Sequence, residues 1–363
     1  MSKHWKIAGI NFDHMHMGDL LRLVYDHPSA EIVGICDDDP VRMEEAIENF
    51  SIADDRVFTD IDQCMEQSDP DMVIICAATA SHADYVEKIA PYGKHLFVEK
   101  PFADSLENAD RMLAAIQPGQ ELIINWPLRW YPSHATAYRL IEEGKIGKVR
   151  EVHYYDGNRG PLAHGADKVV LEVTAERKAK SWFYKKTAGG GSLLDYLGYG
   201  TTLAAWFNDA SSPVEVTCVT GGDPSLDVDE HSITICRYAD GTLSKFETKW
   251  GTFTDPWTLQ PQPKCGFNIV GTEGTIATYD LEPNIRIQTR ENPEGEIISS
   301  DDLKDPFEAP IPYVLHCLDN DITIEGPLNP LISRIGQGVV DAAVKSAAEK
   351  KTIRLSTIGT LKM

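Results

Sequence analysis

The chain has 363 residues, of which 42% are hydrophobic and 25% are charged, as in ordinary globular proteins. Its length exceeds the size at which one hydrophobic core usually divides, so we expect two domains. With 56 acidic and 34 basic residues the formal net charge is -22, which repels the phosphates of nucleic acids and anionic lipids. Nucleic-acid and membrane partners are therefore not expected.

The cysteine pattern and the length of the apolar runs indicate the cellular compartment of the protein. The seven cysteines are scattered and never spaced as Cys-x-x-Cys, so they are interpreted as small buried residues in a reducing compartment and not as disulfides or a zinc site. We find no signal peptide and no apolar run of membrane-spanning length. The expected location is the cytoplasm.

The first stretch of the chain predicts a strand, a tight turn and a helix. Residues 6–10 form a short apolar run, and apolar residues at helical spacing follow from Leu20. Dinucleotide-binding domains begin this way, but here Asn11 and His14 replace the second and third glycines that follow Gly9 in the fingerprint. Asn11 can still make the turn because asparagine tolerates left-handed backbone geometry, whereas His14 cannot allow a close helix-to-strand approach.

Two histidines in this turn have several interpretations. His14 and His16 are either surface or helix-cap residues, or they contact cofactor phosphates. A metal-binding His-x-His pair is the third choice, because the sequence identifies no carboxylate or cysteine partner for it. We therefore predict no metal ion.

The second strand, residues 31–36, ends in three aspartates. Asp37 lies where dinucleotide-binding folds hydrogen-bond the adenosine ribose hydroxyls. Three consecutive acids repel a ribose 2′-phosphate, so NAD is favoured over NADP, although Arg42 is nearby. Asp39 is explained by capping a helix that starts at Pro40.

Further apolar runs at 71–78, 95–98 and 121–124 alternate with helical stretches, which predicts a mostly parallel sheet with helices on both faces. The run at 95–98 leads into Glu99-Lys100-Pro101. Ligands bind at the carboxyl ends of strands in such sheets, so Lys100 is a candidate proton-transfer group, with a solvated loop lysine as the alternative.

The pattern changes after Asn125. Longer alternating runs at 149–155, 214–220, 232–238, 243–250 and 266–271 predict a large, mostly antiparallel open sheet, whose exposed face is covered by helices or used for self-association. We expect an NAD-binding Rossmann domain at 1–125 and an α+β substrate and oligomerisation domain at 126–363. The amphipathic helix at about 330–350 is expected to pack back on the first domain.

A glycine-rich segment in the second half precedes a predicted helix. Gly189, Gly190 and Gly191 would let the backbone approach a ligand, and the helix start would direct amide donors towards it. Asp195 and Tyr199 are four residues apart and share a helical face. They could bind a hydroxylated substrate together with Lys100, whose ammonium would lower the pKa of the phenol. The alternative is a capping carboxylate beside a packed aromatic ring.

Together these residues resemble the glucose-fructose oxidoreductase, inositol dehydrogenase and rhizopine-catabolism (Gfo/Idh/MocA) family of NAD(P)-dependent oxidoreductases. The resemblance extends from the first strand, through the Glu-Lys-Pro and Gly-Gly-Gly-x-Leu-x-Asp motifs, to the strand at 352–355. It implies hydride transfer between nicotinamide and a hydroxyl-bearing carbon of a sugar, polyol or related molecule. Lys100 would polarise the reacting hydroxyl, Asp195 would hold the substrate, and Tyr199 stands where the family usually has a general acid/base histidine.

The resemblance also implies a set of contacts and an assembly. The cofactor would contact Gly9, Asn11, Phe12, His14, Asp37, Thr79, His82, Glu99, Lys100, Asn125 and Arg129. The substrate would contact Lys100, Arg159, Asp195 and Tyr199, although Arg159 can equally support its glycine-rich loop. A homodimer or homotetramer would form through the second sheet.

Two other functions stay open at this point. One is NAD-dependent glycoside cleavage by transient oxidation and elimination, which needs additional acid/base groups. The stretch that could supply them contains His153, Tyr155, Asp156 and His164. The other is a regulator that keeps the cofactor site without catalysis, which the altered residues His14 and Tyr199 leave possible.

Overall fold

The computed structural model describes residues 3–355. Residues 1–2 of the predicted first domain and 356–363 of the predicted second domain lie outside the described residues. The first half of the chain is built on a six-stranded parallel sheet with the strand order β3-β2-β1-β4-β5-β6. This doubly wound order confirms the predicted Rossmann architecture. The strands are β1 (Trp5–Ile10), β2 (Ala30–Cys36), β3 (Val57–Phe58), β4 (Met72–Ile75), β5 (His95–Glu99) and β6 (Leu122–Asn125).

Helices connect these strands and cover both faces of the sheet. Strands β1, β4 and β5 are apolar and almost fully buried, as expected of a parallel sheet covered on both sides. Asp39 caps the short helical turn at 40–43, as predicted, by accepting a hydrogen bond from the Val41 amide. The helices are α1 (His16–Tyr25), α2 (Glu44–Phe50), α3 (Ile61–Ser68), α4 (His82–Ile89) and α5 (Leu106–Ala115).

The second half contains a nine-stranded open sheet in the order β14-β13-β12-β11-β7-β10-β9-β8-β15. Neighbouring strands are antiparallel except for the parallel pair β7 and β10. The predicted mostly antiparallel sheet is therefore confirmed. The strands are β7 (Val149–Asn158), β8 (Glu215–Gly221), β9 (His231–Arg237), β10 (Leu243–Trp250), β11 (Gly266–Gly271), β12 (Gly274–Tyr279), β13 (Asn284–Thr289), β14 (Glu296–Ser299) and β15 (Ile353–Arg354).

One face of this sheet is covered by helices, and they place the functional residues. The helices of this half are α6 (Pro132–Glu142), α7 (Ala175–Lys180), α8 (Ser192–Phe207), α9 (Pro310–Asn320) and α10 (Pro330–Glu349). Of these, α6, α8 and α10 pack against the second sheet, whereas α9 packs against α1 of the first domain. Helix α8 is buried along almost its whole length against β7, β10 and α10. It crosses α10 so closely that a side chain at Gly336 would collide with Thr202.

Helix α10 also contacts the first sheet's helices. Arg334 forms a two-pronged ion pair with Asp110 on α5, at 2.5 and 2.9 Å. The Gln337 side chain accepts a hydrogen bond from the Ala103 amide. These contacts join α8, α10 and the parallel sheet into one packed unit, which fixes the position of α8 relative to the end of β5.

All seven cysteines are buried and none forms a disulfide. Within residues 3–355, no helix is both long enough and apolar enough to cross a lipid bilayer.

Candidate active site

A cavity of about 300 Å³ lies between the carboxyl edge of the parallel sheet and the inner face of the second sheet. This edge is where ligands bind in open α/β sheets. Polar side chains from several elements line the cavity. They are His14, His16 and Asp19 near the start of α1, Lys100 after β5, Asn125 at the end of β6, Asp156 and Asn158 on β7, and Asp195, Tyr196 and Tyr199 on α8.

Lys100 and Asp195 form a buried ion pair in this cavity. Lys100 directly follows β5, and its Nζ donates a hydrogen bond to Asp195 Oδ1 at 2.7 Å. The side chains are only 4% and 5% exposed. The second oxygen, Asp195 Oδ2, accepts a hydrogen bond from Trp250 Nε1 at 3.2 Å. Because both charges are removed from water and paired, Lys100 is not a solvated loop lysine.

Tyr199 lies one helical turn beyond Asp195. The Lys100 ammonium is 5.2 Å from the centre of the Tyr199 ring, which packs edge-on against Trp126. Burial, followed by the negative charge of Asp195, raises the pKa of Tyr199 well above its usual value. The expectation that Lys100 lowers this pKa is therefore wrong, because Asp195 balances the charge of the ammonium. The phenol keeps its proton at neutral pH.

The three glycines before α8 have a role in packing. A side chain at Gly190 would collide with the carbonyl oxygen of Phe183, and one at Gly189 would lie 2.8 Å from the Cβ of Thr79. The first amides of α8 are already occupied, because Leu193 N donates to Asp229 Oδ2 at 2.9 Å. The expectation that this segment presents its backbone to a ligand is therefore wrong. Protein atoms fill the space that the glycines leave.

The turn after β1 has the predicted backbone geometry. Asn11 adopts a φ of 65°, so it makes the left-handed turn in place of a glycine. Gly9 lets α1 approach closely, since a Cβ there would lie 2.9 Å from the sulfur of Met17. Asp37 is buried at the end of β2 and accepts hydrogen bonds from the amides of Phe12 at 2.7 Å and Asp39 at 2.8 Å. Burial raises the pKa of this carboxyl.

Asp13 is a residue of this turn that the sequence analysis missed. Its Oδ2 accepts a hydrogen bond from the Ala78 amide at 3.2 Å, and its Oδ1 accepts one from Arg42 at 2.8 Å. Arg42 also lies near the carboxylates of Asp37 and Asp39. Three acids therefore engage the one arginine that suggested a 2′-phosphate site.

Nine of the predicted contact residues do not line the cavity, and these are Gly9, Asn11, Phe12, Asp37, Thr79, His82, Glu99, Arg129 and Arg159. His82 is buried between two carbonyl groups, with Nε2 3.0 Å from Ala77 O and Nδ1 3.2 Å from Phe102 O. Thr79 packs against Gly189. Both positions support the chain around the end of β4, and the contacts with the cofactor that the resemblance implies for them stay predictions.

The two arginines are likewise engaged elsewhere. The Arg129 guanidinium lies over the rings of Trp130, Trp206 and Tyr313, at 4.8, 5.1 and 5.8 Å from their centres. Arg159 binds Asp255 through its Nε at 2.6 Å, and its amide donates to the same carboxylate. Of the two interpretations of Arg159, this geometry favours support of the loop.

Glu99 supplies the carboxylate partner that the sequence did not identify for the His-x-His pair. It has no exposed surface, and its Oε1 lies 2.8 Å from His16 Nδ1. Its Oε2 accepts a hydrogen bond from Asn125 Nδ2 at 2.7 Å. The rings of His14 and His16 are 4.3 Å apart, and burial lowers the pKa of both imidazoles well below its usual value.

Asp156 is another titratable group that lines the cavity. It accepts a hydrogen bond from Tyr154 at 2.6 Å. Burial and then the charge of Asp280 raise its pKa to about 7. Asp280 also lines the cavity and is held by His134, whose Nε2 is 2.7 Å away. No pattern in the sequence identifies Asp280 as a cavity residue, because it follows β12, far along the chain from β7.

Only some of the groups considered for elimination chemistry lie in the cavity. Asp156 and His164 line the cavity, whereas His153 and Tyr155 lie in a separate surface depression. Burial lowers the pKa of His164 to about 4. Lys168, at the cavity mouth, places its Nζ 4.5 Å from the ring centre of Trp257.

Comparisons with known proteins agree with this architecture. The model of the oxidoreductase family with an NAD-binding Rossmann fold matches residues 4–124, and that of the GFO/IDH/MocA C-terminal domain matches residues 134–277. The chain is 32% identical over 264 residues to the scyllo-inositol 2-dehydrogenase (NAD(+)) of Bacillus subtilis (strain 168). This alignment covers 70% of the present chain and 68% of the relative. The chain is also 33% identical over 123 residues to the D-apiose dehydrogenase of Paraburkholderia graminis, covering 34% of this chain and only 32% of that relative.

The fold comparison extends over nearly the whole chain. The crystal structure of aldose-aldose oxidoreductase from Caulobacter crescentus complexed with glycerol superposes with a TM-score of 0.75. The match covers 98% of this chain and 100% of that one at 19% sequence identity, so it shows a shared fold. Taken with the sequence relatives, these findings show that the chain belongs to the Gfo/Idh/MocA family of NAD-binding oxidoreductases.

Proposed function

We propose that this protein is an NAD-dependent oxidoreductase that transfers a hydride between nicotinamide and a hydroxyl-bearing carbon of a sugar, polyol or related small molecule. The observation that carries the proposal is the buried Lys100–Asp195 pair with Tyr199 beside it, at the ligand-binding edge of the parallel sheet. The named activities of the relatives, an inositol dehydrogenase and an apiose dehydrogenase, support the substrate class.

Each of the three residues has a distinct chemical role. The Lys100 ammonium polarises the reacting oxygen, and Asp195 orients Lys100 and accepts a hydrogen bond from a substrate hydroxyl. Tyr199 exchanges a proton with the reacting oxygen. In the reducing direction the neutral phenol donates its proton, and in the oxidising direction the phenolate must accept one. The bound nicotinamide supplies the hydride donor or acceptor.

The residues at the turn after β1 and at the strand ends fit a dinucleotide. Asn11 shapes the turn, Phe12 connects it to Asp37, and Asp37 is placed for the adenosine ribose. Asn125 Oδ1 is a buried acceptor at the cavity that has no hydrogen-bond partner within residues 3–355, so it is available to an amide of the cofactor. Because Asp13, Asp37 and Asp39 surround Arg42, we propose NAD in preference to NADP.

The first test is NADH formation across a panel of sugars, inositols and polyols, with NAD and NADP in parallel. We expect the Lys100→Met variant to lose at least about 100-fold in kcat/KM, since it removes the polarising group. Lys145→Met is the matched control at an exposed surface lysine and should be unchanged. NADH formation that survives Lys100→Met would refute the assigned chemistry. Tight NAD binding without turnover of any substrate would favour the regulator.

Glycoside cleavage is the second candidate function. Asp156 and His164 in the cavity favour it, since elimination after transient oxidation needs acid/base groups besides Tyr199. The two functions differ in one observable. A cleaving enzyme consumes a glycoside without accumulating NADH, whereas a dehydrogenase accumulates NADH in proportion to substrate.

Assembly and location are further parts of the proposal. The face of the second sheet that α8 and α10 do not cover exposes Val219, Ile233, Ile235 and Leu243, which supports a homodimer or homotetramer formed through this sheet. The seven unpaired buried cysteines support a reducing compartment, and we propose the cytoplasm.

A further inference from the structure

Three potential metal ligands converge at the edge of the cavity. One ligand atom each from His14, His16 and Glu99 lies within 4.8 Å of the others. The histidines come from the turn before α1 and from its first residue, and Glu99 ends β5. Two imidazoles and one carboxylate, held by two separate elements, therefore share one small volume beside Lys100.

Within residues 3–355, no lysine or arginine forms an ion pair with Glu99. Glu99 is fully buried, and the ammonium of its neighbour Lys100 is directed to Asp195. The side chains that do contact Glu99 are His16 and the neutral amide of Asn125. Burying a carboxylate is costly unless a positive charge compensates it. A bound cation would supply that charge.

Two buried polar atoms at this place also lack partners. His14 Nε2 and Asn125 Oδ1 make no hydrogen bond to any residue that the structure describes. Most buried polar side-chain atoms are hydrogen-bonded, so His14 Nε2 indicates a bound group at this place, whereas Asn125 Oδ1 is the atom assigned above to an amide of the cofactor. His14 Nδ1 lies 3.2 Å from the His16 amide, and ligation through Nε2 would place the imidazole proton on Nδ1 and give up this one contact.

The spacing of the ligand atoms suits a small transition-metal ion. Ligand bonds of about 2.0–2.2 Å in a tetrahedral site separate neighbouring ligand atoms by about 3.4 Å. The 2.8 Å between His16 Nδ1 and Glu99 Oε1 would have to open by roughly half an ångström. Imidazole and carboxylate together favour zinc, cobalt or iron over calcium and magnesium. Asn125 would hold the free oxygen of Glu99 in the way that outer partners orient metal ligands.

We propose that His14, His16 and Glu99 bind one divalent transition-metal ion, with an open coordination position towards the cavity. His14 and His16 line the cavity, so a water molecule or a substrate oxygen can complete the coordination. Resting on the proposed function, the ion would bind a hydroxyl or carboxylate oxygen of the substrate next to the one that Lys100 polarises. Substrates with two adjacent oxygen donors would then be preferred.

The test is a titration of the metal-stripped full-length protein with Zn²⁺ by calorimetry and with Co²⁺ by visible absorption. We expect one ion per chain and Co²⁺ bands typical of nitrogen and oxygen ligands. Glu99→Gln keeps the size of the side chain and His16→Asn keeps a polar group, and each should weaken binding at least about 100-fold. Thermal unfolding of both variants without metal shows whether they fold.

The matched control is His153→Asn. His153 also lies beside a glutamate, with Nε2 3.1 Å from Glu151 Oε2, but this pair is partly exposed and the part of the chain that the structure describes offers no third ligand there. Unchanged binding in His153→Asn supports the assigned site, and an equal loss there would refute it. Absence of stoichiometric binding by the parent protein would also refute it.

Measuring NAD binding distinguishes a metal site from a part of the cofactor site. If His16→Asn weakens NAD binding but leaves ion binding unchanged, these side chains belong to the cofactor site and the metal proposal is wrong. If the ion binds with one ion per chain but no substrate yields NADH, the metal proposal stands and the proposed function fails. The two proposals are thus tested separately.

Discussion

Tyr199 determines how the proposed reaction depends on pH. Because burial and Asp195 raise its pKa well above the usual value, the phenolate needed to accept a proton is scarce at neutral pH. We expect the rate of substrate oxidation to increase steadily from neutral to alkaline pH, and the rate of reduction to show no such increase. Measuring kcat in both directions across this range tests the expectation.

Two variants isolate the hydroxyl group of Tyr199. Tyr199→Phe removes only the proton-transferring atom, so kcat for oxidation should fall by roughly 100-fold while thermal stability changes little. Tyr199→His should recover activity with an optimum closer to neutral, since an imidazole titrates at lower pH than a phenol. A Tyr199→Phe variant with unchanged kcat would show that another group moves the proton.

Asp156 should make the free energy of unfolding depend on pH. In the folded state its pKa is about 7, because it is buried near Asp280, whereas the unfolded chain releases this proton at about pH 4. The folded state therefore holds the extra proton between these values. The contribution of Asp156 to the free energy of unfolding must decrease as pH rises from about 4 to about 7 and then stay level.

The Asp156→Asn variant tests this relation. Asparagine still accepts the hydrogen bond from Tyr154 but does not titrate, so the slope of the unfolding free energy against pH between about pH 5 and about pH 7 should become more positive than in the parent protein. Other groups keep their own contributions in both proteins, because burial raises the pKa of Asp229 to about 7 and lowers that of His164 to about 4. Urea unfolding measures the slope, Asp54→Asn at an exposed position should not alter it, and an identical slope in Asp156→Asn would contradict the prediction.

At the level of single residues, the sequence predicted some cavity residues and missed others. Lys100, Asp195 and Tyr199 could be identified because each stands in a motif with a recognisable spacing, and all three line the cavity. The partnership of Glu99 with His16 joins residues 83 positions apart, and no spacing encodes it. Which way a side chain points at a strand end depends on the three-dimensional packing, so such pairs need the structure.

The close packing at the start of α8 requires a glycine at position 190. A methyl group at Gly190 would collide with the backbone of Phe183, which has no flexible side-chain end to move aside. We expect Gly190→Ala to lower the free energy of unfolding by about 1–3 kcal/mol and to displace Asp195 from Lys100. Chemical denaturation measures the first effect, and kcat/KM measures the second.

A second glycine in the same half serves as the control. Gly221, at the end of β8, has open space around the position of a Cβ and does not require a left-handed backbone. Gly221→Ala should therefore leave stability within a few tenths of a kcal/mol. Equal destabilisation by both substitutions would show that the close packing at Gly190 is not the cause.

Several elements with strong hydrophobic periodicity were predicted well, but the interior strands β12 and β13 were missed, as were short and edge elements. Strand β10 was predicted at Leu243–Trp250, where buried and more exposed residues alternate. Strand β3 has only two residues, and β14 is a four-residue edge strand with little burial, so neither carries a periodic signal. The ligand role expected for Gly189–Gly191 was wrong because glycine permits a close approach without indicating what approaches.

At the scale of the whole molecule, we predict self-association through the uncovered face of the second sheet. On β8 and β9, Val219 and Ile233 are paired across the strands and are 69% and 38% exposed. Ile235 lies on the same face, two residues further along β9. Apolar side chains clustered on an open sheet favour association with a second copy, because burial of each would release about 2 kcal/mol.

Ile233→Lys tests this association. Ile233 is paired with Glu247 on β10, so a lysine there finds an opposite charge and the monomer should fold normally. Across a twofold interface each substitution counts twice, so we expect a loss of about 4 kcal/mol, or roughly 1,000-fold in the dimer Kd. Analytical ultracentrifugation measures the mass. Val41→Lys, at a 67% exposed position on the first domain, should leave it unchanged, and an assembly that persists in Ile233→Lys would place the interface on another surface.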